Sequence, residues 1–221
     1  MISINKTARI AGFLYLIVAV FSGFAASVRS SLIVSTDAAA TVNNILASET
    51  LFRISFVSDL IGQVFHILLV LVLYELLKTV NKNQALLMVI LALVPVPIAM
   101  LNQLNQFAVL SLLKGTDYSQ VMFFLNLHTD GVFIAQIFWG LWLFPLGYLV
   151  FRSGYIPRIL GVLLIIAGFG YLIDSFAEFL LPNYDLTISM FTFIGEVLLL
   201  LWLLIKGVNA DRWEKRALAS A

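Results

Sequence analysis

Apolar residues run along this chain in long stretches that carry no charge, such as Gly12–Ala26, Ile67–Leu73 and Val197–Ile205. A helix that crosses hydrocarbon needs about 20 mostly apolar residues. Six segments meet that length, at residues 8–28, 51–77, 85–113, 132–151, 157–181 and 186–208. The strands of a membrane barrel would instead alternate polar and apolar positions over about ten residues, and these stretches do not alternate. In lipid only helices and closed barrels satisfy their backbone hydrogen bonds. The pattern therefore predicts an all-α fold: one integral membrane bundle of six transmembrane helices, formed by residues 1–221 as a single domain.

Polar punctuation refines the plan. Pro95-Val96-Pro97 interrupts the third span and predicts a kink or hinge there. Thr36-Asp37 can cap a short extra helix from Ala38 to about Ser48. Asp117 can start a turn through Tyr118–Asn126 that leads into the fourth span. Ser153-Gly154-Tyr155-Ile156-Pro157 has the order of helix stop, turn and restart. The short connections Lys78–Gln84 and Arg152–Pro157 make spans two and three, and four and five, antiparallel neighbours.

Composition agrees. The chain is 62% hydrophobic and 11% charged, with a mean hydropathy of +1.03. A soluble domain carries about 25% charged residues, so lipid is the expected surrounding. There is no cysteine, which excludes disulfides and thiolate metal sites. A net charge of +1 gives no nucleic-acid surface.

Local charge predicts the orientation. With both ends inside, the inner segments hold Lys6, Arg9, Lys78, Lys82, Arg152, Arg158, Lys206, Arg212, Lys215 and Arg216, and the outer ones only Arg29, Arg53 and Lys114. Positive residues accumulate in cytoplasmic loops, so the bundle is expected N-in and C-in, with Asp37, Glu49, Asp117, Asp130 and Asp185 outside. Lys6 and Arg9 before an apolar stretch that ends at Ala25-Ala26-Ser27 would also suit a cleaved signal peptide. The stretch is long for one, and Arg9-Ile10-Ala11-Gly12-Phe13-Leu14 is echoed by Arg158-Ile159-Leu160-Gly161-Val162-Leu163 at the start of span five.

The stretch Phe138-Trp139-Gly140-Leu141-Trp142-Leu143-Phe144-Pro145-Leu146-Gly147-Tyr148-Leu149-Val150 is followed by Arg152-Ser153-Gly154-Tyr155-Ile156-Pro157-Arg158-Ile159-Leu160-Gly161. With Gly168-Phe169-Gly170-Tyr171-Leu172-Ile173-Asp174 and Ala8-Arg9-Ile10-Ala11-Gly12, it resembles a bacterial membrane-protein family known only as a domain of unknown function. The resemblance covers most of the chain and is most specific from Phe138 to Asp174. It implies a small multi-pass protein of the bacterial cytoplasmic (inner) membrane. The family has no established activity, so no catalytic residue carries over.

Ionisable groups in hydrocarbon cost about 2.5–3.5 kcal/mol each on insertion scales and face the bundle interior or a wet cavity. Ser55, Asp59, Gln63 and His66 share one face of span two at helical spacing. Span three adds Asn102, Asn105 and Gln106; span four adds Gln136, with His128 and Asp130 just outside. Span five adds Asp174 and Glu178, and span six Ser189, Thr192 and Glu196. Under the charge-derived topology Asp59, Asn102, Gln106, Gln136, Asp174, Glu178 and Glu196 belong to the outer half. They predict an outward-facing polar pocket, with Phe138 and Trp139 as apolar wall.

Two readings of these residues stay open: hydrogen bonding that holds helices together, or a site for a small-molecule, lipid-like or proton ligand. Binding, sensing or moving a small or amphipathic solute is the leading function. An intramembrane enzyme, metal-dependent through His66 and Glu196, and a structural or accessory subunit are the alternatives. No cofactor is expected. No His-Glu-x-x-His pairing, phosphate loop or Gly-x-Ser-x-Gly elbow occurs.

Overall fold

The computed structural model describes residues 3–115, 117–181 and 186–219; Asp185, expected outside, is not among them. Every regular element among the described residues is an α-helix. They are α1 (Ile4–Leu32), α2 (Ala38–Ala47), α3 (Glu49–Leu77), α4 (Lys82–Leu93), α5 (Pro95–Leu112), α6 (Tyr118–Ser153), α7 (Arg158–Leu180), α8 (Ser189–Thr192), α9 (Ile194–Ile205) and α10 (Ala210–Ala219).

Local chemistry fixes several ends. Asp37 caps α2 by accepting from Ala40 N at 2.9 Å, Asn81 caps α4 through Gln84 N at 3.0 Å, and Asp117 caps α6 through Ser119 N at 3.1 Å. Each side chain satisfies an amide that has no intrahelical partner. Gly154 and Gly207 follow α6 and α9 with φ of 76° and 70°, a conformation that suits glycine. Pro157 restarts the chain into α7. The turn expected after Asp117 is the beginning of α6 itself: the helix runs 36 residues, about 54 Å, against a hydrocarbon core of about 30 Å.

Five helices, with α4 and α5 counted as one broken crossing, are long and apolar enough to span a membrane. Their most apolar windows are only 28–50% buried within the protein. In water the remainder would be a very large apolar patch, so this is a multi-pass membrane protein. The segment expected as the sixth span is short. Ser189–Ile205 reaches the required length only together with α10, which bends away from it by 100°.

The antiparallel arrangement gathers most of the cations at one end of the bundle. There Val208 N donates to Asn5 Oδ1 at 2.9 Å, Trp213 Nε1 to Leu76 O at 2.9 Å, Asn209 N to Tyr155 O at 3.2 Å and Arg212 Nη1 to Gly154 O at 3.0 Å. These bonds tie the start of α1, the α3–α4 turn, the α6–α7 turn and the start of α10 together. At the opposite end α2 folds back, with Asn44 Nδ2 donating to Leu32 O at 3.2 Å.

Two apolar cores form inside this frame. One, near the α2 end, joins Val28, Ile45, Phe52, Val109 and Leu125. The larger one, toward the cationic end, includes Ala11, Leu69, Ala92, Leu143, Leu164 and Leu199. On α3 and α5, and on α6 apart from Ser153 at its end, the buried polar residues fall between the two, so a polar stratum separates an upper from a lower core.

Glycines let the backbones approach. A Cβ on Gly147 would stand 2.7 Å from Gly161 O, and one on Gly161 only 2.5 Å from Gly147 O. Gly140 and Gly168 repeat the arrangement at 2.9 Å in both directions. Gly12, in the first copy of the echoed motif, lies instead against Leu204 of α9, where a Cβ would come within 2.4 Å of its N.

Candidate functional site

Three helices meet at the upper edge of the polar stratum. Arg29, in the last turn of α1, forms an ion pair and hydrogen bond with Asp59 of α3. Their side chains are 18% and 12% exposed. Gln103 of α5 donates from Nε2 to Asp59 Oδ2 at 3.2 Å. A lone carboxylate there would be costly, and the guanidinium makes the pair neutral overall. Asp59 was legible in the sequence; Arg29, assigned to an outer connection, and Gln103 were not. The available signal was depth. The hairpin from α1 to α3 puts position 29 level with position 59.

Beside this pair α5 and α6 lock through Asn102 and His128. Asn102 Nδ2 donates to His128 O at 2.7 Å, and His128 Nδ1 lies 3.3 Å from Asn102 O. A backbone carbonyl only accepts, so Nδ1 carries the hydrogen. Nε2 then accepts from Gln106 Nε2 at 2.8 Å. One neutral tautomer satisfies both contacts. Asn105 Nδ2 completes the group on Asn102 Oδ1 at 2.8 Å. Gly131 makes the room, since a Cβ there would lie 2.2 Å from Asn102 Oδ1.

A second group lies deeper. His66 Nε2 stands 3.2 Å from Ala92 O, at the end of α4 beside the proline break. Its ring meets Trp142 edge-on at 5.4 Å, and Trp142 packs 6.5 Å from Tyr15. The Tyr15 hydroxyl donates to Glu196 Oε2 at 2.5 Å and the Tyr171 hydroxyl to Glu196 Oε1 at 2.8 Å. Gln136 Nε2 donates to Tyr171 O at 3.2 Å. Glu196 thus joins α1, α7 and α9 through two neutral donors. Among the described residues no cation lies within 4.0 Å of it. Tyr15 and Arg29 are 14 residues apart on α1, so the two groups are separated by about 21 Å along that helix.

The other expected site residues lie elsewhere. Asp174 accepts from Ile188 N at 2.8 Å and Ser189 N at 2.7 Å, capping the start of α8. Glu178 is exposed near the end of α7, and Trp139 and Phe138 are half-buried; Trp142 supplies the ring contacts instead. Tyr15 and Tyr171 were missed as site residues because a tyrosine in an apolar run has the pattern of packing. Their shared mid-span depth with Glu196 was the only signal.

Three side-chain amide oxygens of the polar stratum lack a protein donor. Gln63 Oε1, Gln103 Oε1 and Gln106 Oε1 are buried without a protein donor. An unsatisfied buried polar atom costs about 1–3 kcal/mol, and native proteins hold few of them. Among the described residues no three His, Cys, Asp or Glu groups come together in a metal-binding arrangement. His66 and Glu196, the pair considered for a metal, each bond to other protein groups.

A family model described as a domain of unknown function (DUF4386) matches residues 10–207. A protein of Archaeoglobus fulgidus described as uncharacterized is 39% identical over 135 residues, which make up 61% of this chain and 72% of that protein. No solved structure matches.

Proposed function

The chain belongs to the DUF4386 family, and from that premise we propose that it binds, senses or moves a small or amphipathic solute carrying N–H or O–H donors, such as an amine or a polyol, through its polar stratum. The supporting observation is a set of three buried acceptors without a protein donor, the amide oxygens of Gln63, Gln103 and Gln106, with the carboxylate of Glu196 below them. Packing alone does not require this set, and a solute that donates would satisfy it. The positive-inside rule puts the cationic end in the cytoplasm, so the Arg29–Asp59 edge of the stratum faces the outer side and the protein resides in a cytoplasmic membrane.

The residues divide the work. Arg29–Asp59 and Asn102–His128 are neutral, mutually bonded pairs that hold the helices, as in a structural reading. Gln63 and Glu196 carry the solute contacts. Screening purified protein against amines, polyols and amphipathic cations by melting shift tests this. A hit should be lost in Glu196→Gln and in Gln63→Leu, while unliganded Gln63→Leu melts higher than wild type because an orphaned acceptor is gone. If every class leaves the melting temperature unmoved and Gln63→Leu melts lower, the stratum only holds helices together and the reading fails.

A further inference from the structure

The cationic end carries a second feature, independent of the polar stratum. Tyr74, Lys78, Thr79, Val80, Asn81 and Lys82 line a concavity of about 480 Å³ at the α3–α4 turn. That volume lies within the roughly 300–1,000 Å³ of small-molecule sites. Lys82 has no carboxylate within 4.0 Å among the described residues. Lys78 pairs only with exposed Glu75 and lies 5.7 Å from the Tyr74 ring centre; such surface pairs contribute about 0–1 kcal/mol.

The amphipathic α10 extends this basic ground. Arg212, Lys215 and Arg216 fall within about 100° of one another on its helical wheel, opposite Ala210, Trp213 and Ala217. Trp213 fixes the helix to the end of α3 by its bond to Leu76 O. Tyr155 also donates to Leu76 O, at 2.8 Å. Burial pushes its hydroxyl up to about 12, while the neighbouring Thr79 side chain and the charge of Arg216 pull the other way. Arg216 follows Trp213 by three residues, so it lies within one helical turn of the contact between α10 and the end of α3. A short helix lying across the end of a membrane bundle, with an aromatic anchor and a cationic face, sits at headgroup level.

We propose that the basin at the α3–α4 turn binds the headgroup of an anionic phospholipid, with Lys78 and Lys82 around the phosphate, Arg216 reaching toward it from α10, and Tyr74 and Val80 against the glycerol and upper acyl chain. The occupant is a lipid because the basin lies beside the lipid-facing surface and offers apolar wall together with charge. A free phosphate would use only the charge.

Titration of the full chain in neutral detergent distinguishes these sources, using dihexanoyl phosphatidylglycerol, dihexanoyl phosphatidylcholine and inorganic phosphate as probes and calorimetry as readout. Phosphatidylglycerol should bind saturably, and phosphatidylcholine and phosphate far more weakly. Each surface cation contributes roughly a fivefold factor toward anionic lipid, so the combined variant Lys78→Gln, Lys82→Gln, Arg216→Gln should bind on the order of 100-fold more weakly. The charge-keeping set Lys78→Arg, Lys82→Arg, Arg216→Lys should bind as wild type does. Equal binding of phosphatidylcholine, phosphate binding as tight as the lipid's, or an unchanged combined variant would each overturn the proposal. Should a variant not fold, the order of the three probes on the wild-type protein decides alone.

Discussion

The hydroxyl of Tyr15 donates to the Glu196 carboxylate at 2.5 Å across 181 positions of sequence, joining α1 to α9. Together with Tyr171 on the other carboxylate oxygen, it makes Glu196 a three-helix junction. Tyr15→Phe should therefore cost about 1–2 kcal/mol, toward the upper end of what a single hydrogen bond contributes because the acceptor is a carboxylate. Tyr171→Phe should cost a similar amount. The double variant should lose less than the sum of the two single losses, because both donors act on one carboxylate. Unfolding in detergent of both single variants and the double variant measures this.

Arg29 and Asp59 answer to each other. Arg29→Leu leaves a buried carboxylate with Gln103 alone and should destabilise by about 3 kcal/mol. Arg29→Leu with Asp59→Leu should recover most of that loss, since an apolar pair can replace a buried ion pair of similar volume. A double variant no more stable than the single one would show that the pair holds something other than α1 against α3.

Gly161→Ala should be costly although the change is one methyl group. The new Cβ would stand 2.5 Å from Gly147 O and 2.7 Å from Phe151 N, both backbone atoms that a rotamer change cannot move. Overpacking of this kind costs about 1–3 kcal/mol. Gly23→Ala, where a Cβ would meet nothing within 4 Å, should be neutral or slightly stabilising because alanine favours helix. Parallel melts of the two variants make the comparison.

Asp117 gives a prediction in pH. The Ser119 hydroxyl and then nearby amides hold its carboxyl below the ordinary carboxylate range. A depressed folded value means that the capping contribution is complete above the unfolded value of about 3.9 and is lost as pH falls through the lowered one. Amide protection at Ser119 and Gln120, corrected for intrinsic exchange rates, should persist through pH 4 and decline only below it. In Asp117→Ala it should be low at every pH.

The sequence made the spans and their caps legible because hydrocarbon filters composition so strongly. Asp37, Asp117 and Gly154 punctuate the chain by local backbone chemistry that needs no tertiary information. Depth was legible only in part: Arg29 and His128, assigned outside the spans, lie level with Asp59 and Asn102. Azimuth was not. Whether Asp59 faces Arg29 or Glu196 depends on which helices are neighbours, and that follows from the small residues at their seams. Gly140, Gly147, Gly161 and Gly168 carried this signal at a spacing of seven on each helix, and it lies outside any hydrophobic count. α10 was missed because charge at the end of a chain has the pattern of a solvated tail until Trp213 is seen bonded to Leu76 O.

The reciprocal glycine contacts also limit traffic. Between Gly140 and Gly147, about 10 Å of helix length, α6 and α7 touch backbone to backbone, leaving no width for an acyl chain or a dissolved molecule to slip between them. Whatever reaches Glu196 must enter by another seam of the bundle, and blocking groups placed along α1 or α9 would find that doorway where the same groups on α6 and α7 could not.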